Sequence, residues 1–199
     1  MLIDYIEQFE QPIKIETEYN GKTLNIADFY LADKEQSTLS ISNFDCNNGS
    51  MNAYLRENAI DDALSMRDEG CTTILIDDNS CIYAYYTILP SEIILSDDDI
   101  CKCLHISRIA TSKDIQRKGL GERLVRDIFN IAKRVGYRFI SLDSLPNKVT
   151  WYEKIGFIPF EDINIQLSFE EINEPSICDL VYMYFDLQDT ESLKEYLAG

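Results

Sequence analysis

Residues 111–122 read Thr111-Ser-Lys-Asp-Ile-Gln-Arg-Lys-Gly-Leu-Gly-Glu122, and the rest of the chain is placed by what this stretch joins. Before it, residues 104–111 are rich in apolar and β-branched side chains and read as a strand. After it, Leu120, Leu124, Val125, Ile128, Phe129, Ala132 and Val135 recur at helical spacing and stop at Gly136, which predicts a helix over 119–135. Glycines at 119 and 121 remove side chains where the backbone must approach a ligand. The first turn of the helix offers N–H groups that have no helical partner. With the positive end of the helix dipole, such a junction suits a pyrophosphate, and Arg117 and Lys118 add charge. Taken alone, Gly-x-Gly serves equally as a turn among solvated charges. The dinucleotide fingerprint is not met, because the third glycine is missing at the required spacing.

The charge distribution supports the anion reading. The chain has 199 residues, 35 acidic against 18 basic, and a net charge of -17. Residues 101–154 hold 12 of the 18 Lys and Arg and five acids, so this window is +7 and the remainder -24. A basic island in an acidic protein fits a small, locally held anion better than an extended nucleic acid, which needs a broader positive face. The length and the 45% hydrophobic content fit an ordinary globular chain with a sizeable core. Apolar runs such as Val181-Tyr-Met-Tyr-Phe185 are far shorter than the roughly 20 residues that span a bilayer. The start, Met1-Leu-Ile-Asp-Tyr, lacks the features of a secretion signal, so a soluble, cytoplasmic protein is expected. Six cysteines (46, 71, 81, 101, 103 and 178) include no Cys-x-x-Cys pair, and with a single His105 they form no zinc set. They read as buried free thiols.

Outward from the decisive stretch, residues 13–17 and 23–27 alternate around Asn20-Gly21, a hairpin signal. Residues 38–42 read as a strand. Asn48-Gly49-Ser50 offers caps for a helix to about residue 60, followed by a short second helix to about residue 66. Residues 71–76 and 81–89 form a second hairpin, closed by Pro90, and Asp97-Asp-Asp99 marks a surface loop. Residues 137–142 follow the long helix and are expected parallel to 104–111. A short helix at 147–155, strands at 157–160 and 178–185, and a terminal helix from about residue 190 complete an α/β (α+β) domain with a mixed sheet.

Three segments, in order, resemble the GNAT superfamily of acetyl-CoA-dependent N-acetyltransferases. Gln116-Arg-Lys-Gly-Leu-Gly121 is similar to its Q/R-x-x-G-x-G/A pyrophosphate loop, Arg108-Ile-Ala-Thr111 to the strand before it, and Trp151-Tyr-Glu-Lys-Ile-Gly-Phe157 to its (F/L/W)-Y-x-K-x-G-F segment. Upstream, Phe44-Asp-Cys-Asn-Asn-Gly-Ser-Met-Asn-Ala-Tyr-Leu55 and Tyr83-Ala-Tyr-Tyr-Thr87 resemble the F-D-C-G-N-x-x-L-N-x-x-L opening and G-Y-Y-T strand of the branch that includes aminoacyl-tRNA-acetylating toxins. Ala84 stands where that branch has glycine, and the chain is acidic where those toxins are generally basic. The likeness covers about 37–186. It implies an acetyltransferase domain over 37–199 behind an N-terminal extension, 1–36, with a hairpin that either covers an acceptor groove or caps the sheet. It also implies a centrally splayed sheet of six to seven strands flanked by helices.

The resemblance further implies acetyl-CoA as cosubstrate. Its pantetheine would pair with the backbone near Ile109, Ala110 and Thr111, and its diphosphate with the amides of Gln116, Arg117, Lys118, Gly119, Leu120 and Gly121, with Glu122, Asn147 and Tyr152 also in contact with the cofactor. The amide at Ile109 would polarise the thioester carbonyl. Tyr152 is the expected general acid for the CoA thiolate, or else packs beside Trp151 and Phe157. A lysine-like amine of pKa about 10.4 is only about 0.04% free at pH 7, so a base or water relay is expected. His105 has the right intrinsic pKa but also reads as a structural histidine, and Asp143 and Ser144 are weaker candidates. The acidic exterior favours a small cationic molecule or a protein amine as acceptor. An aminoacyl-tRNA is the alternative, disfavoured by charge, and a non-catalytic CoA-binding domain is a third. A homodimer is left open by the sheet edge near the C-terminus.

Overall fold

The computed structural model describes residues 13–19, 22–33, 39–64, 70–96, 99–160 and 180–189. The strands are β1 Ile13–Tyr19, β2 Lys22–Tyr30, β3 Cys71–Asp77, β4 Ile82–Ser96, β5 Asp99–Thr111, β6 Phe139–Ser144, β7 Ile158–Pro159 and β8 Val181–Asp186. The helices are α1 Gly49–Glu57, α2 Ala59–Leu64, α3 Leu120–Val135 and α4 Val149–Ile155. Among the described residues there are seven strands, within the six to seven expected, and the two-residue β7 as an eighth. The chain divides into two compact units: Met1–Leu89 with Arg108–Leu124, and Pro90–Ser107 with Val125–Gly199.

In the first unit the strand order is β1-β2-β3-β4-β5. The expected hairpin is present, with Ile13 opposite Ile26 and Tyr19 opposite Lys22. It joins the sheet through β2, whose Ile26–Tyr30 segment pairs antiparallel with β3. The β3–β4 turn is held by Asp77, whose Oδ1 accepts from the amides of Asn79 (2.9 Å) and Cys81 (3.0 Å), a local side-chain substitute for turn hydrogen bonds. Thr72 and Thr87 face each other in register and share a buried hydroxyl contact of 2.8 Å. Asn48 caps α1, its side chain accepting from the amide of Met51 at 3.1 Å. Leu55, Ala59, Ile74, Ile76, Ile82 and Tyr85 form the core of this unit. Ala84 is fully buried opposite Leu75, so the methyl group in the glycine position of the upstream motif is accommodated.

Gly70 precedes β3 at φ +99, and a Cβ there would lie 2.6 Å from the Ile88 carbonyl oxygen. Both the backbone angle and the contact with a hydrogen-bonded strand penalise a side chain. Gly70→Ala is therefore expected to destabilise the protein by about 2 kcal/mol or more, measured by chemical denaturation.

In the second unit the order is β4-β5-β6-β8-β7. β5 and β6 are parallel, as expected, from Cys103 opposite Phe139 to Ile106 opposite Leu142. The ladder stops there although β5 runs on to Thr111 and β6 to Ser144, as the expected splay requires. β6 pairs antiparallel with β8 along its whole length. Ile128, Phe129 and Ala132 of α3 are buried, and Phe129 meets Phe185 at a centroid distance of 4.5 Å. Fully burying a side chain the size of Ile128 or Phe129 contributes roughly 1.5–3 kcal/mol.

Five expectations need correction. Of the strand expected at 38–42, the described residues 39–42 form none: Ile41–Asn43 is a 3-10 turn, and the Ser40 amide bonds to the Ser80 carbonyl at 3.2 Å. Pro90 does not end its strand. The β3 ladder finishes at Cys71 opposite Ile88, so the missing Pro90 N–H is not needed on that flank. The acidic loop is shorter than expected, since β5 begins at Asp99. Val135 is 65% exposed because it ends the helix just before Gly136 at φ +89. Cys71 is exposed at the head of β3, whereas Cys46 and Cys103 are buried. Cys178, residues 65–66 of the second helix and the terminal helix from residue 190 lie outside the described residues. Among the described residues no helix is long and apolar enough to cross a membrane.

Candidate functional site

The first unit carries the β5–α3 junction. Ser112 ends the strand with its amide bonded to the Tyr83 carbonyl at 2.7 Å, and Lys113–Ile115 form a 3-10 turn anchored by the fully buried Ile115. Gln116 is extended, Arg117 has φ +63 and Gly119 φ +78. A non-glycine residue in the left-handed region costs about 1–2 kcal/mol, so the conformation at Arg117 is imposed by its surroundings. The first bond of the helix is from the Arg123 amide to the Gly119 carbonyl, 3.1 Å. The amides of residues 120–122 thus precede the helical ladder. Arg117, Lys118 and Gly119 are exposed, and a Cβ on Gly119 would meet nothing within 4 Å. An open face, helix-terminal amides and two adjacent cations fit a diphosphate. Ile109, Ala110 and Thr111 lie just upstream, Leu120 is buried, and Gly121 and Glu122 open the helix. The Gln116 side chain braces the loop, donating to the carbonyls of Cys46 and Thr111, both at 3.1 Å.

The residues that bring this turn into place were not found from sequence. Asp45 accepts the Lys113 ammonium on Oδ2 at 2.8 Å, and its carbonyl accepts the Lys113 amide at 2.8 Å. The signal was present in the upstream motif Phe44-Asp-Cys, but its partner lies 68 residues away.

The second unit brings His105 together with Ser141 and Asp143. Parallel register places His105 beside Ser141, and Nδ1 lies 3.0 Å from the Ser141 hydroxyl oxygen. Nε2 is 3.7 Å from Asp143 Oδ2, and the Ser141 hydroxyl oxygen is also 3.4 Å from Cys103 Sγ. Ser141 is fully buried, whereas the His105 side chain is 16% exposed. Ser144 donates to the neighbouring Leu145 carbonyl at 2.9 Å.

Tyr152 lies in α4, only 8% exposed, with edge-on contacts to Trp151 (4.7 Å) and Phe157 (5.6 Å). Gly156, at φ +102, ends that helix and lets the Phe157 amide return to the Tyr152 carbonyl at 3.0 Å. Burial pushes the Tyr152 phenol well above its ordinary range, so it is protonated at neutral pH. Asn147 is exposed in the 3-10 turn Pro146–Lys148.

A family model described as an acetyltransferase (GNAT) domain matches residues 59–166, more than half of the chain. The protein belongs to the GNAT acetyltransferase family and is an acyltransferase; acetyl-CoA is the acetyl donor of that family. No curated protein matches the chain. Solved structures with a similar fold include a tyrosine-to-phenylalanine mutant of the toxin AtaT bound to the C-terminus of the antitoxin AtaR and acetyl-CoA (18% identity, 88% of this chain and 99% of that chain, TM-score 0.65). AtaT complexed with acetyl-methionyl-tRNAfMet is similar at 18% identity, covering 87% and 99%, with a TM-score of 0.62. A tyrosine-to-phenylalanine mutant of KacT is 18% identical over 85% of this chain and 98% of that one, with a TM-score of 0.64. At these identities the likeness is one of fold.

Proposed function

We propose that the protein transfers an acetyl group from acetyl-CoA to a primary amine carried by a small cationic molecule or by a protein. The donor half of this reading is supported chiefly by the β5–α3 junction, where helix-terminal amides, an open Gly119 and the Arg117–Lys118 pair would hold the diphosphate. Backbone groups at Ile109, Ala110 and Thr111, beyond the end of the β5–β6 ladder, would pair with pantetheine, and the Ile109 amide would polarise the thioester carbonyl. Asn147, in the exposed turn before α4, would contribute to donor binding. The acceptor half is supported by charge: with the +7 window directed to the donor, the -24 remainder attracts a cation.

Transfer forms a C–N bond and breaks the C–S bond. A proton leaves the amine, and one reaches the sulfur. His105 would take the first. Ser141 at Nδ1 and Asp143 near Nε2 would orient the ring, the carboxylate stabilising the imidazolium that forms. His105→Gln is expected to lower kcat by about tenfold and to remove the acidic limb of the kcat profile, with acetyl-CoA affinity unchanged. A pH profile and a calorimetric titration check this.

The second reading, acetylation of the amino group of an aminoacyl-tRNA, is favoured by the fold shared with AtaT, one of whose structures contains acetyl-methionyl-tRNAfMet. Against it stands the shortage of cations for phosphate contacts, which carry much of nucleic-acid affinity. Growth arrest on expression, relieved by Tyr152→Phe and accompanied by N-acetylated aminoacyl-tRNA, favours this second reading. Acetylated polyamine or lysine peptide without such arrest favours the first.

A further inference from the structure

Between Thr111 and α3 the chain is largely exposed. Lys113, Asp114 and residues 116–119 face outward, and only Ser112 and Ile115 are buried. Few packing contacts therefore fix the direction in which the 116–121 amides point. The fixing bonds come from the segment ahead of α1. Asp45 grips Lys113 at two points, the amide through its carbonyl and the ammonium through Oδ2, both at 2.8 Å. The Cys46 carbonyl accepts from the Gln116 side chain.

Asp45 is itself held rigidly. Its Oδ1 accepts from the Asn47 amide and from Asn52 Nδ2, each at 2.9 Å. Asn52 Oδ1 in turn accepts from the Cys46 amide (3.0 Å) and thiol (3.1 Å). The bonds from Lys113, Asn47 and Asn52 hold the Asp45 carboxyl well below the usual carboxylate range, so it is charged across the physiological range.

We propose that Asp45 is the positioning residue of the donor loop: through Lys113 it transmits the rigid α1 start to the loop amides that bind the donor diphosphate. This inference rests on the acetyl-CoA reading of that loop. It assigns the upstream Phe44-Asp-Cys motif to donor positioning, whichever acceptor is used.

The test compares two donors, acetyl-CoA and S-acetylpantetheine, which lacks the diphosphate and nucleotide. Asp45→Ala is expected to lower kcat/KM for acetyl-CoA about tenfold, through KM, with kcat kept within about twofold. The same substitution should leave kcat/KM for S-acetylpantetheine unchanged, an outcome that general loss of structure would not produce. Lys113→Met should act in the same direction, and the double variant should be no worse than Asp45→Ala, because both remove one interaction. Equal losses with the two donors, or an unchanged KM for acetyl-CoA, would overturn the proposal. Should Asp45→Ala fail to fold, Lys113→Met supplies the same comparison. Should the wild-type protein turn over no amine, calorimetric titration with CoA separates the two readings. About tenfold weaker binding by the variant supports the clamp without the acceptor assignment, and equal binding overturns the clamp.

Discussion

Gly119→Asp is expected to abolish measurable acetyl-CoA binding in a protein that still folds. The residue is exposed at φ +78 and a Cβ there meets nothing within 4 Å, so the substitution creates no clash inside the protein. Its cost to the fold is the left-handed backbone angle, about 1 kcal/mol, which aspartate tolerates better than most residues. The cost to binding is larger. The added carboxylate lies directly before the amides of residues 120–122, where it competes for their N–H groups and repels a diphosphate. Together these should weaken binding by at least about 100-fold, or roughly 2.7 kcal/mol. Calorimetric titration measures the loss, and a melting temperature within a few degrees of wild type shows that the fold persists. Wild-type affinity in the folded variant would remove the diphosphate from this loop.

Tyr152→Phe is expected to lower kcat by about 100-fold while leaving acetyl-CoA affinity and stability nearly unchanged. The phenylalanine ring keeps the edge-on contacts with Trp151 and Phe157, so packing is retained and only the hydroxyl is lost. Because burial raises the phenol pKa, ionisation is disfavoured further in the fold than in the unfolded chain. The donor form therefore persists from neutral pH up through about pH 10 and falls away only above that. In the proposed role the hydroxyl would donate to sulfur throughout that range, as negative charge builds on it. Steady-state kinetics with saturating amine gives the comparison, and an unchanged kcat would leave Tyr152 as a packing residue.

What could be read from sequence was the local geometry of the candidate donor site. Gly119, the start of α3 and its apolar face lie within one continuous stretch, and backbone freedom, helix dipole and 3.6-residue periodicity act over that distance. The parallel relation of β5 and β6 was also legible, because a strand, a helix and a strand in succession leave few arrangements. Their register was not, and register alone sets His105 beside Ser141. The Asp45–Lys113 clamp was illegible for a related reason: its partners meet only after the sheet forms, and neither residue type is unusual on a surface. Pro90 shows a local rule overridden by tertiary context. A proline ends a strand whose flank is paired, and the β3 ladder had already finished at Ile88.

The most direct measurement is thiol release from acetyl-CoA in the presence of a panel of primary amines, with Gly119→Asp as the control. The panel should include a polyamine, a lysine-containing peptide, a basic antibiotic and an aminoacyl-tRNA, each followed by mass analysis of the acceptor. The expected result is stoichiometric release of CoA and an N-acetylated product with at least one cationic small molecule or peptide, and neither with the control. No amine-dependent release from any acceptor, while acetyl-CoA still raises the melting temperature of the wild-type protein, would contradict the assignment of an N-acetyltransferase.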